Sequence, residues 1–445
     1  MKEILQEFVA KAGDSNVIDN ELYKIYNVKK GLRNEDGTGV LVGLTKISDV
    51  VGYKKENGKK IDDYGSLYYR GINISEFINH QEESCCDLFE EISFLILFGY
   101  LPNDSELKAF KGYLSDNYDL PKRFLEHNIL SIPGQNLINK LQQTILMLYN
   151  FDNDGDDTSP EAMLEKGLNI LAKLPAIICY IYQSKINYYD RQDLIIKRAD
   201  KNLTIAENLL YMLRTGTPYT KKEVELLDSL LLVHADHGGG NNSTFINSVA
   251  TSTLTDLYSA LVGGIGSMKG PRHGGANVAV SKMMKAVEEE VGLTTDRGKI
   301  RDIIMRILNK DFFDNKGLVY GIGHAVYTKS DPRCEIIRSK CSELAPLNGF
   351  SEEFEFYKAF EEEAISILSE RKGINICSNV DFYSGFAYKM IGIPEELYTL
   401  LFVLARTVGW VAHNVEYNQY SDKIIRPATL YVGTNHEYIP RKDRS

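Results

Sequence analysis

The sequence has few of the residues that mark disulfide-rich, fibrous or membrane-spanning proteins. Its 445 residues include only six cysteines, 12 prolines and 35 glycines, so neither a disordered nor a collagen-like chain is expected. No two cysteines form a Cys-x-x-Cys pair, and we expect reduced thiols in the core of a cytoplasmic protein. The longest apolar stretches, such as residues 397–405, reach about half a bilayer span, so no membrane segment is expected.

Basic residues are also in deficit. Lysine and arginine total 51 against 61 aspartates and glutamates, a formal net charge of −10. Nucleic acid requires clustered basic residues, so it is not expected as a partner. An anionic ligand would need arginines placed locally against the overall field. The first residues hold early acids, no arginine before Arg33 and no apolar segment, so neither a secretory signal nor a mitochondrial transit peptide is expected.

The apolar residues, 43% of the chain, recur mainly with the period of a helix, and the predicted fold class is mostly α. Helices are predicted over residues 220–234, from Ser243 to Leu261, from Asn277 to Val291, over residues 296–309, around residues 360–368 with a stop at Gly373, and from Pro394 to Val415. Strand signals are confined to Gly39–Thr45 and Gly373–Cys377. The first 60 residues are predicted to be a loop-rich lead-in, and residues 150–160 and 343–352 to be exposed connections.

Six of the eight histidines lie between positions 234 and 436, which directs attention to that part of the chain. His234 and His237 stand three residues apart at the end of a predicted helix. Three interpretations are open: a metal site, histidines that cap the last helix carbonyls, and anion binding by one of the two. No third Cys, His or Glu stands nearby in the sequence, so anion binding is the preferred functional interpretation.

His273 lies in the glycine-rich segment 266–277, which matches neither the Walker A nor the dinucleotide pattern. It stands in a tight turn just before a helix N-terminus, where the helix dipole disfavours an imidazolium. A neutral His273 that donates a hydrogen bond is therefore the physical expectation. Turn glycines with an incidental histidine are the alternative.

Asp381 is a lone carboxylate among apolar and aromatic residues at the start of a helix. Burial raises a carboxyl pKa and a helix dipole lowers it, so a helix N-cap and a catalytic base are both open. Arg406 lies inside an apolar helix, where it is costly unless it meets an anion, either a structural carboxylate or a ligand. Together with Arg333 and Arg426 it would supply local positive charge for a di- or tricarboxylate.

Taken in chain order, these motifs resemble those of the citrate synthase family. The motifs are His-Ala-Asp-His at 234–237, Gly-Pro-Arg-His-Gly-Gly-Ala-Asn at 270–277, Gly-Ile-Gly-His at 321–324, Asp-Pro-Arg at 331–333, Asn-Val-Asp-Phe-Tyr-Ser-Gly at 379–385, and Arg406 with Arg426. The likeness extends upstream to Tyr69-Arg70-Gly71 and Phe89-Glu90-Glu91, and covers roughly residues 30–435. Arg272 departs from the pattern, because the family often has an apolar residue there, and its role is open.

The resemblance implies a nearly all-helical homodimer with two domains in each chain. Residues 1–277 and 386–445 would form the large domain, and residues 278–385 an inserted small domain that closes over the substrates. The implied reaction condenses acetyl-CoA with oxaloacetate and hydrolyses citryl-CoA to citrate and CoA, the entry step of the tricarboxylic acid cycle. No metal and no tightly bound cofactor are implied, and acetyl-CoA is a co-substrate.

The resemblance also implies roles for individual residues. Asp381 would remove a methyl proton from acetyl-CoA, His273 would donate to the thioester oxygen, and His324 would polarise and protonate the oxaloacetate carbonyl. The residues expected to hold the carboxylates are His237, Arg333, Arg406 and, reaching in from the partner subunit, Arg426. The residues expected to face CoA are Gly321, Ile322, Gly323 and Lys329.

Other functions are open at this point. A 2-methylcitrate synthase would use propionyl-CoA, and one methylene is worth only about 1–3 kcal/mol of discrimination, so dual activity is plausible. A binding protein that kept the fold but lost turnover would lack at least one catalytic residue, and none is missing. A metallohydrolase built on His234 and His237 would contain bound metal.

Overall fold

The computed structural model describes residues 2–13, 17–35, 37–56, 59–81, 86–271, 273–421 and 423–444. Arg272 and Cys85 lie outside the described residues. The chain divides into two compact units, residues 1–44 and residues 45–445. The smaller unit contains α1 (Lys2–Ala12), α2 (Glu21–Ile25) and a 3-10 turn at Lys30–Leu32.

The larger unit is built mainly of helices, which confirms the predicted mostly α class. Its helices are α3 (Ile74–Asn79), α4 (Leu88–Phe98), α5 (Asp104–Asp116), α6 (Leu137–Leu148), α7 (Pro160–Tyr189), α8 (Ile205–Leu213), α9 (Lys221–His234), α10 (Asn242–Thr251), α11 (Leu257–Met268), α12 (Ala276–Val291), α13 (Arg297–Leu308), α14 (Pro332–Leu344), α15 (Ser351–Lys372), α16 (Val380–Met390) and α17 (Tyr398–Tyr420). A π-helical turn covers Leu125–Leu130, and 3-10 turns cover Tyr149–Phe151, Glu395–Leu397 and Arg441–Asp443.

Local signals explain where several helices begin and end. α9 begins at the predicted capping box, in which Thr220 and Glu223 each accept from the other's backbone N–H. α15 ends at Gly373, whose φ of 66° is the left-handed conformation that favours glycine. The helix predicted after Pro394 is confirmed, since a 3-10 turn leads directly into α17. α12 and α13 confirm the two helices predicted between residues 277 and 309.

α17 runs through the core, and most of its side chains are buried. It packs closely on α7, where a Cβ on Gly167 would lie 2.5 Å from the Val411 Cγ1. Arg406 is therefore held deep inside the molecule by apolar packing on both sides of it along the helix. Its side chain is 0% exposed.

The helix predicted from Ser243 to Leu261 is wrong, because it is two helices. α10 ends at Thr251, Leu254 has a φ of 60°, and Asp256 caps the start of α11 by accepting from the Ser259 N–H at 2.8 Å. Aspartate is a favoured N-cap residue, so Asp256 starts a new helix although the apolar period of the sequence continues across it. The break turns α11 toward α10 and places Ser243 beside the loop that carries His273.

The prediction of a loop-rich lead-in over the first 60 residues is wrong from Ser48 onward, because residues 48–69 contain a pair of strands. These residues form β1 (Ser48–Glu56) and β2 (Lys59–Tyr69), an antiparallel pair to which β3 (Ile72–Asn73) is added. Glu56 pairs with Lys59 across the Asn57-Gly58 dipeptide, which is outside the described residues. Asn-Gly between extended segments is the strongest short-range hairpin signal.

The two predicted strands are also wrong. In Gly39–Thr45 only Gly39 makes a bridge, to Arg33, and Gly373–Cys377 contains no strand. An isolated bridge joins Ile322 to Ser378 just beyond the second segment. Leu41 and Leu44 of the first segment are exposed, whereas Ile376 and Cys377 of the second are buried.

The cysteines and the surface agree in part with expectation. Cys179, Cys334, Cys341 and Cys377 are buried free thiols, as predicted, whereas the free thiol Cys86 is half-buried. Among the described residues, no helix combines the length and apolar character needed to cross a membrane. The inserted small domain at residues 278–385 stays a prediction.

Candidate active site

The turn after α9 places His237 inside the molecule. Asp236 holds this turn: its Oδ2 accepts from the Ser48 hydroxyl, from the Gly238 N–H at 3.0 Å and from His413 Nε2 at 3.1 Å. Burial alone would raise the pKa of Asp236, but His413 and Arg406 hold it well below its usual range. An ionised Asp236 therefore ties β1, the turn and α17 together beneath His237.

The two histidines of this turn differ in their surroundings. His234 Nδ1 donates to the Leu230 carbonyl at 2.7 Å, which confirms the capping interpretation for this residue. His237 is buried and its Nε2 has no hydrogen-bond partner among the described residues. Burial and the charge of Arg333 lower its pKa well below the usual value, so the ring is neutral. Among all the residues that the structure describes, no group of three or more His, Cys, Asp or Glu side chains is placed to hold a metal ion.

Arg406 carries a guanidinium that is incompletely paired. Its Nε donates to the His234 carbonyl at 2.8 Å, and Phe402 lies under it at 4.9 Å. Nη1 and Nη2 are buried and have no hydrogen-bond partner among the described residues, so the structural ion pair considered from the sequence does not account for it. Burial lowers its pKa to about 10, which leaves the group charged near neutral pH.

Arg333 stands at the start of α14 and is paired differently. The Asp331 carboxylate caps α14 through the Arg333 N–H at 3.0 Å and also accepts from Arg333 Nε at 3.0 Å and Nη2 at 2.7 Å. Its second oxygen accepts from the Val380 N–H at 3.2 Å, at the start of α16. One buried carboxylate thus orients the arginine and joins it to the helix that carries Asp381.

His324 lies in the loop before α14, with its tautomer set by the backbone. Nδ1 accepts from the Val326 and Tyr327 N–H groups, each at 3.0 Å, so in the neutral ring the proton is on Nε2. Nε2 lies 3.4 Å from Arg333 Nη2. At that separation the two N–H groups can share one acceptor oxygen that lies to the side of the line joining the nitrogens. The His237 ring is 5.4 Å away, centroid to centroid.

Asp381 occupies the first turn of α16 but does not cap it. The cap is Asn379, whose Oδ1 accepts from the Asp381 N–H at 3.0 Å, so the N-cap interpretation of Asp381 is wrong. Asp381 Oδ1 is buried and has no partner among the described residues. Burial raises the pKa of Asp381 to about 6, although Arg333 and Arg406 act to lower it. Burial thus outweighs the opposing effects that the sequence left undecided.

His273 reaches the same region from the turn before α12. Its Nε2 lies 3.0 Å from the Ser243 Oγ, and its ring centroid is 6.4 Å from that of Phe402. Burial, followed by the charge of Arg406, lowers the pKa of His273 to about 4, so the ring is neutral as predicted. The dominant cause is burial, where the sequence pointed to the helix dipole.

The structure brings six of the predicted residues into one electrostatic neighbourhood. Arg333 and Arg406 act on both His237 and Asp381, Arg406 acts on His273, and His324 acts on His237. Arg426 is not among them, since it is exposed in the segment that follows α17. This chain by itself therefore supplies two of the three predicted arginines.

The residues predicted to face CoA are held mainly by the chain itself. Gly323 N–H donates to the Cys377 carbonyl at 2.7 Å, and the Gly321 carbonyl accepts from the Asn379 N–H at 2.8 Å. A Cβ on Gly321, whose φ is 80°, would lie 2.9 Å from Val280 and from Phe382. These contacts fix the loop of His324 against α16. Lys329 is exposed, with its Nζ 5.5 Å from the centroid of the Tyr64 ring.

Four further residues of this neighbourhood were missed by the sequence reasoning as functional candidates: Asp236, Ser243, Tyr327 and Asp331. An Asp before Pro is a usual helix cap, which signals Asp331, and Asp236 lies inside the histidine motif. Nothing local signals Ser243, whose partner His273 is 30 residues away. Tyr327 lies three residues after the predicted His324 and stacks on it, so its position next to that motif was the available signal.

The sequence and the fold were compared with known proteins. The family model "Citrate synthase, C-terminal domain" matches residues 34–428. The chain belongs to the citrate synthase family. It is thus an enzyme of the acyltransferase class. The citrate synthase of Deinococcus radiodurans is 36% identical over 421 residues, 94% of this chain and 99% of that protein. A 2-methylcitrate synthase of Shewanella oneidensis is 31% identical over 377 residues, 84% of this chain and 90% of that protein.

Solved structures of citrate synthases share the fold. The enzyme of Pyrobaculum aerophilum has a TM-score of 0.75 at 30% identity, with 91% of this chain and 94% of that chain covered. A ternary complex of carboxymethyl coenzyme A and oxaloacetate with the Thermoplasma acidophilum enzyme has a TM-score of 0.76 at 25% identity, covering 94% of this chain and 99% of that chain. That enzyme of the citrate synthase family holds both compounds at once.

Proposed function

We propose that this protein condenses acetyl-CoA with oxaloacetate and water to give citrate and CoA. The observation that carries the proposal is the buried guanidinium of Arg406, which lies within a cluster of neutral histidines. Its two Nη atoms have no hydrogen-bond partner in the part of the chain that the structure describes. A buried, unpaired cation requires an anion, and its planar fork suits a carboxylate. Asp381, a carboxyl of raised pKa, stands in the same neighbourhood as the base that such a reaction needs.

Oxaloacetate is held through its two carboxylates and its ketone. Arg406, Arg333 and His237 supply donors to the carboxylates, and Arg426 of the partner subunit completes the set in a homodimer. The ketone oxygen accepts from both His324 Nε2 and Arg333 Nη2, the two nitrogens that lie 3.4 Å apart. Polarisation of the ketone makes its carbon the electrophile.

Acetyl-CoA is activated by Asp381 and His273 together. The methyl group of a thioester is a very weak carbon acid, so a carboxylate alone does not deprotonate it at a useful rate. Asp381 takes the methyl proton while His273 donates a hydrogen bond to the thioester oxygen. For this, His273 carries its proton on Nδ1, and its Nε2 accepts a hydrogen bond from the Ser243 hydroxyl, which the 3.0 Å contact allows.

The bonds then change as follows. The enolate carbon attacks the ketone carbon of oxaloacetate, so a carbon–carbon bond forms as the carbon–oxygen π bond breaks, and His324 Nε2 gives its proton to the resulting alkoxide oxygen. The methyl proton held by Asp381 then passes through solvent to His324, which restores the neutral ring and the free carboxylate. Water then cleaves the thioester of citryl-CoA, releasing citrate and the CoA thiol. Closure of the small domain excludes water during the first step and protects the thioester. The loop at residues 321–323 and Lys329 contribute to the CoA site.

A thiol-release assay with purified protein tests the proposal. We expect free CoA thiol and citrate in equal amounts from acetyl-CoA and oxaloacetate, and Asp381→Asn should remove the activity. Oxaloacetate binding without thiol release from the wild type would instead identify a binding protein of the same fold. Loss of thiol release on chelation, with metal found by elemental analysis, would favour the metallohydrolase.

A second candidate is 2-methylcitrate synthesis from propionyl-CoA, since relatives at about the same identity carry that name. The two acyl groups differ by one methylene, a discrimination of about 1–3 kcal/mol. Parallel measurements of kcat/KM with the two acyl-CoA substrates decide between them. A ratio near one indicates a dual-specificity enzyme.

Assembly and location follow from the same proposal. We propose a cytoplasmic homodimer that needs no tightly bound cofactor and serves entry to the tricarboxylic acid cycle. Sedimentation tests the dimer. Mixed dimers of an Asp381→Asn subunit and an Arg426→Leu subunit test the sharing of Arg426, because one intact site per mixed dimer forms only if that arginine crosses the interface.

A further inference from the structure

Tyr327 contacts three residues of the candidate active site but has no part in the steps above. Its ring stacks on His324, with centroids 4.7 Å apart and an angle of 28° between the planes. It meets the His237 ring edge-on at 5.6 Å, and the Arg333 guanidinium carbon lies 5.6 Å from its centroid. One aromatic ring therefore lies against both histidines and the arginine proposed to surround oxaloacetate.

The same residue also holds His324 through its backbone. The Tyr327 N–H donates to His324 Nδ1 at 3.0 Å, alongside the Val326 N–H. The backbone thus determines which nitrogen carries the proton, and the stacked ring limits rotation of the imidazole plane. Offset aromatic stacking is favourable beyond the area that it buries, so it favours one orientation of the imidazole.

The hydroxyl of Tyr327 does not explain these contacts. The side chain is 2% exposed, and the hydroxyl has no hydrogen-bond partner among the described residues. The charged groups with the largest effect on its pKa, which burial raises, are Arg333 and Asp331. The contacts described above are those of the ring.

The β1–β2 hairpin supports this ring from behind. A Cβ on Gly65 would meet the Ser330 carbonyl oxygen at 2.2 Å and the Tyr327 Cδ1 at 2.6 Å, and a Cβ on Gly52 would lie 2.3 Å from the Val326 carbonyl oxygen. The hairpin is fastened there by the Gly65 N–H, which donates to the Ser330 Oγ at 3.1 Å. Ser48 at the other end of the hairpin bonds to Asp236 beneath His237. The hairpin thus contacts the supports of both histidines.

We propose that Tyr327 is a positioning residue: supported by the hairpin glycines, its ring fixes the plane of His324 so that Nε2–H points at the substrate carbonyl. The identity of that carbonyl rests on the proposed function. The hold on His324 does not, because it is present in the protein without any ligand.

Three variants separate the ring from the hydroxyl and from general packing. Tyr327→Phe keeps the ring and Tyr327→Leu removes it. Gly65→Ala keeps the ring but adds a methyl group that must displace the ring or the Ser330 backbone. Gly112→Ala in α5 is the matched control for Gly65→Ala, since a Cβ there meets no atom within 4 Å. The readouts are kcat, KM for oxaloacetate, and the 15N chemical shifts of His324 in the full-length enzyme.

We expect Tyr327→Leu and Gly65→Ala to lower kcat about 10- to 100-fold, as small displacements of a reacting group do. KM for oxaloacetate should change less. The 15N chemical shifts of His324 should move toward the average of the two tautomers, because a ring that rotates leaves the two backbone N–H donors. Tyr327→Phe should restore kcat to within about threefold and retain the Nε2–H signal. Gly112→Ala should match the wild type.

Two results would overturn the proposal. In one, Tyr327→Leu keeps both the wild-type kcat and the wild-type nitrogen shifts. In the other, Tyr327→Phe loses as much as Tyr327→Leu, which would place the function in the hydroxyl. A wild type without turnover on either acyl-CoA would refute the proposed function instead, and the nitrogen shifts would still decide whether the ring holds His324. If Tyr327→Leu does not fold, Gly65→Ala decides by the same criteria.

Discussion

Replacement of Arg406 by methionine is expected to stabilise the ligand-free protein and to abolish tight oxaloacetate binding. The guanidinium is fully buried, its two Nη atoms have no partner among the residues that the structure describes, and burial lowers its pKa from 12.5 to about 10. At about 1.4 kcal/mol for each pKa unit, the charge costs the folded protein about 3 kcal/mol near neutral pH. Loss of the Nε bond to the His234 carbonyl subtracts about 1 kcal/mol.

The net expectation is an increase of about 2 kcal/mol in the free energy of unfolding of Arg406→Met. Urea unfolding of the ligand-free protein at pH 7 measures it. Oxaloacetate at 100 times its dissociation constant should stabilise the wild type by about 2.7 kcal/mol and the variant by almost nothing. The matched control is Arg371→Met, since Arg371 lies exposed in the last turn of α15.

The reasoning would be refuted if Arg406→Met unfolded at a lower urea concentration than the wild type and still gained the full stabilisation from oxaloacetate. Such a result would mean that the guanidinium is satisfied without ligand and packs as a structural group. Arg371→Met should leave both the ligand-free stability and the oxaloacetate response unchanged.

Three further predictions concern buried carboxylates. Because burial raises the pKa of Asp381 to about 6, kcat/KM for acetyl-CoA should fall about tenfold for each pH unit below 6. Asp381→Asn should lower kcat/KM at least about 1,000-fold. A pH profile that stays flat down to pH 5 would contradict this. Burial raises the pKa of Glu90 from 4.5 to about 7, so its pKa is higher in the folded than in the unfolded protein. The free energy of unfolding is therefore greatest at low pH and falls as the pH rises through 7. The free energy of unfolding of Glu90→Gln, measured by urea titration, should therefore exceed that of the wild type by up to about 3 kcal/mol at pH 8 and equal it at pH 4. The same difference at both pH values would count against burial as the cause. Asp331→Asn should raise KM for oxaloacetate about tenfold or more in steady-state assays, because Arg333 loses its partner, and an unchanged KM would show that Asp331 does not orient it.

The sequence predicted much of the helical framework because helix signals are local. The capping box at Thr220, the stop at Gly373 and the apolar period after Pro394 each lie within a few residues of the feature they specify. The hairpin at residues 48–69 escaped because its strands mix charged and apolar residues, and their burial depends on the loop after His324. The break between α10 and α11 escaped because one aspartate cap outweighs an apolar period that continues across it.

The sequence by itself determined the helical class, the chain order of the motifs and most of the residues that carry charge and imidazole into the site. Only the tertiary structure decided their electrostatic state, since a pKa depends on burial and on charges that arrive from other elements. Burial is the main cause of the raised pKa of Asp381, of the lowered pKa of Arg406 and of the neutral state of His273. Segments far apart in the chain bury these three groups together, so no local pattern encodes their pKa values.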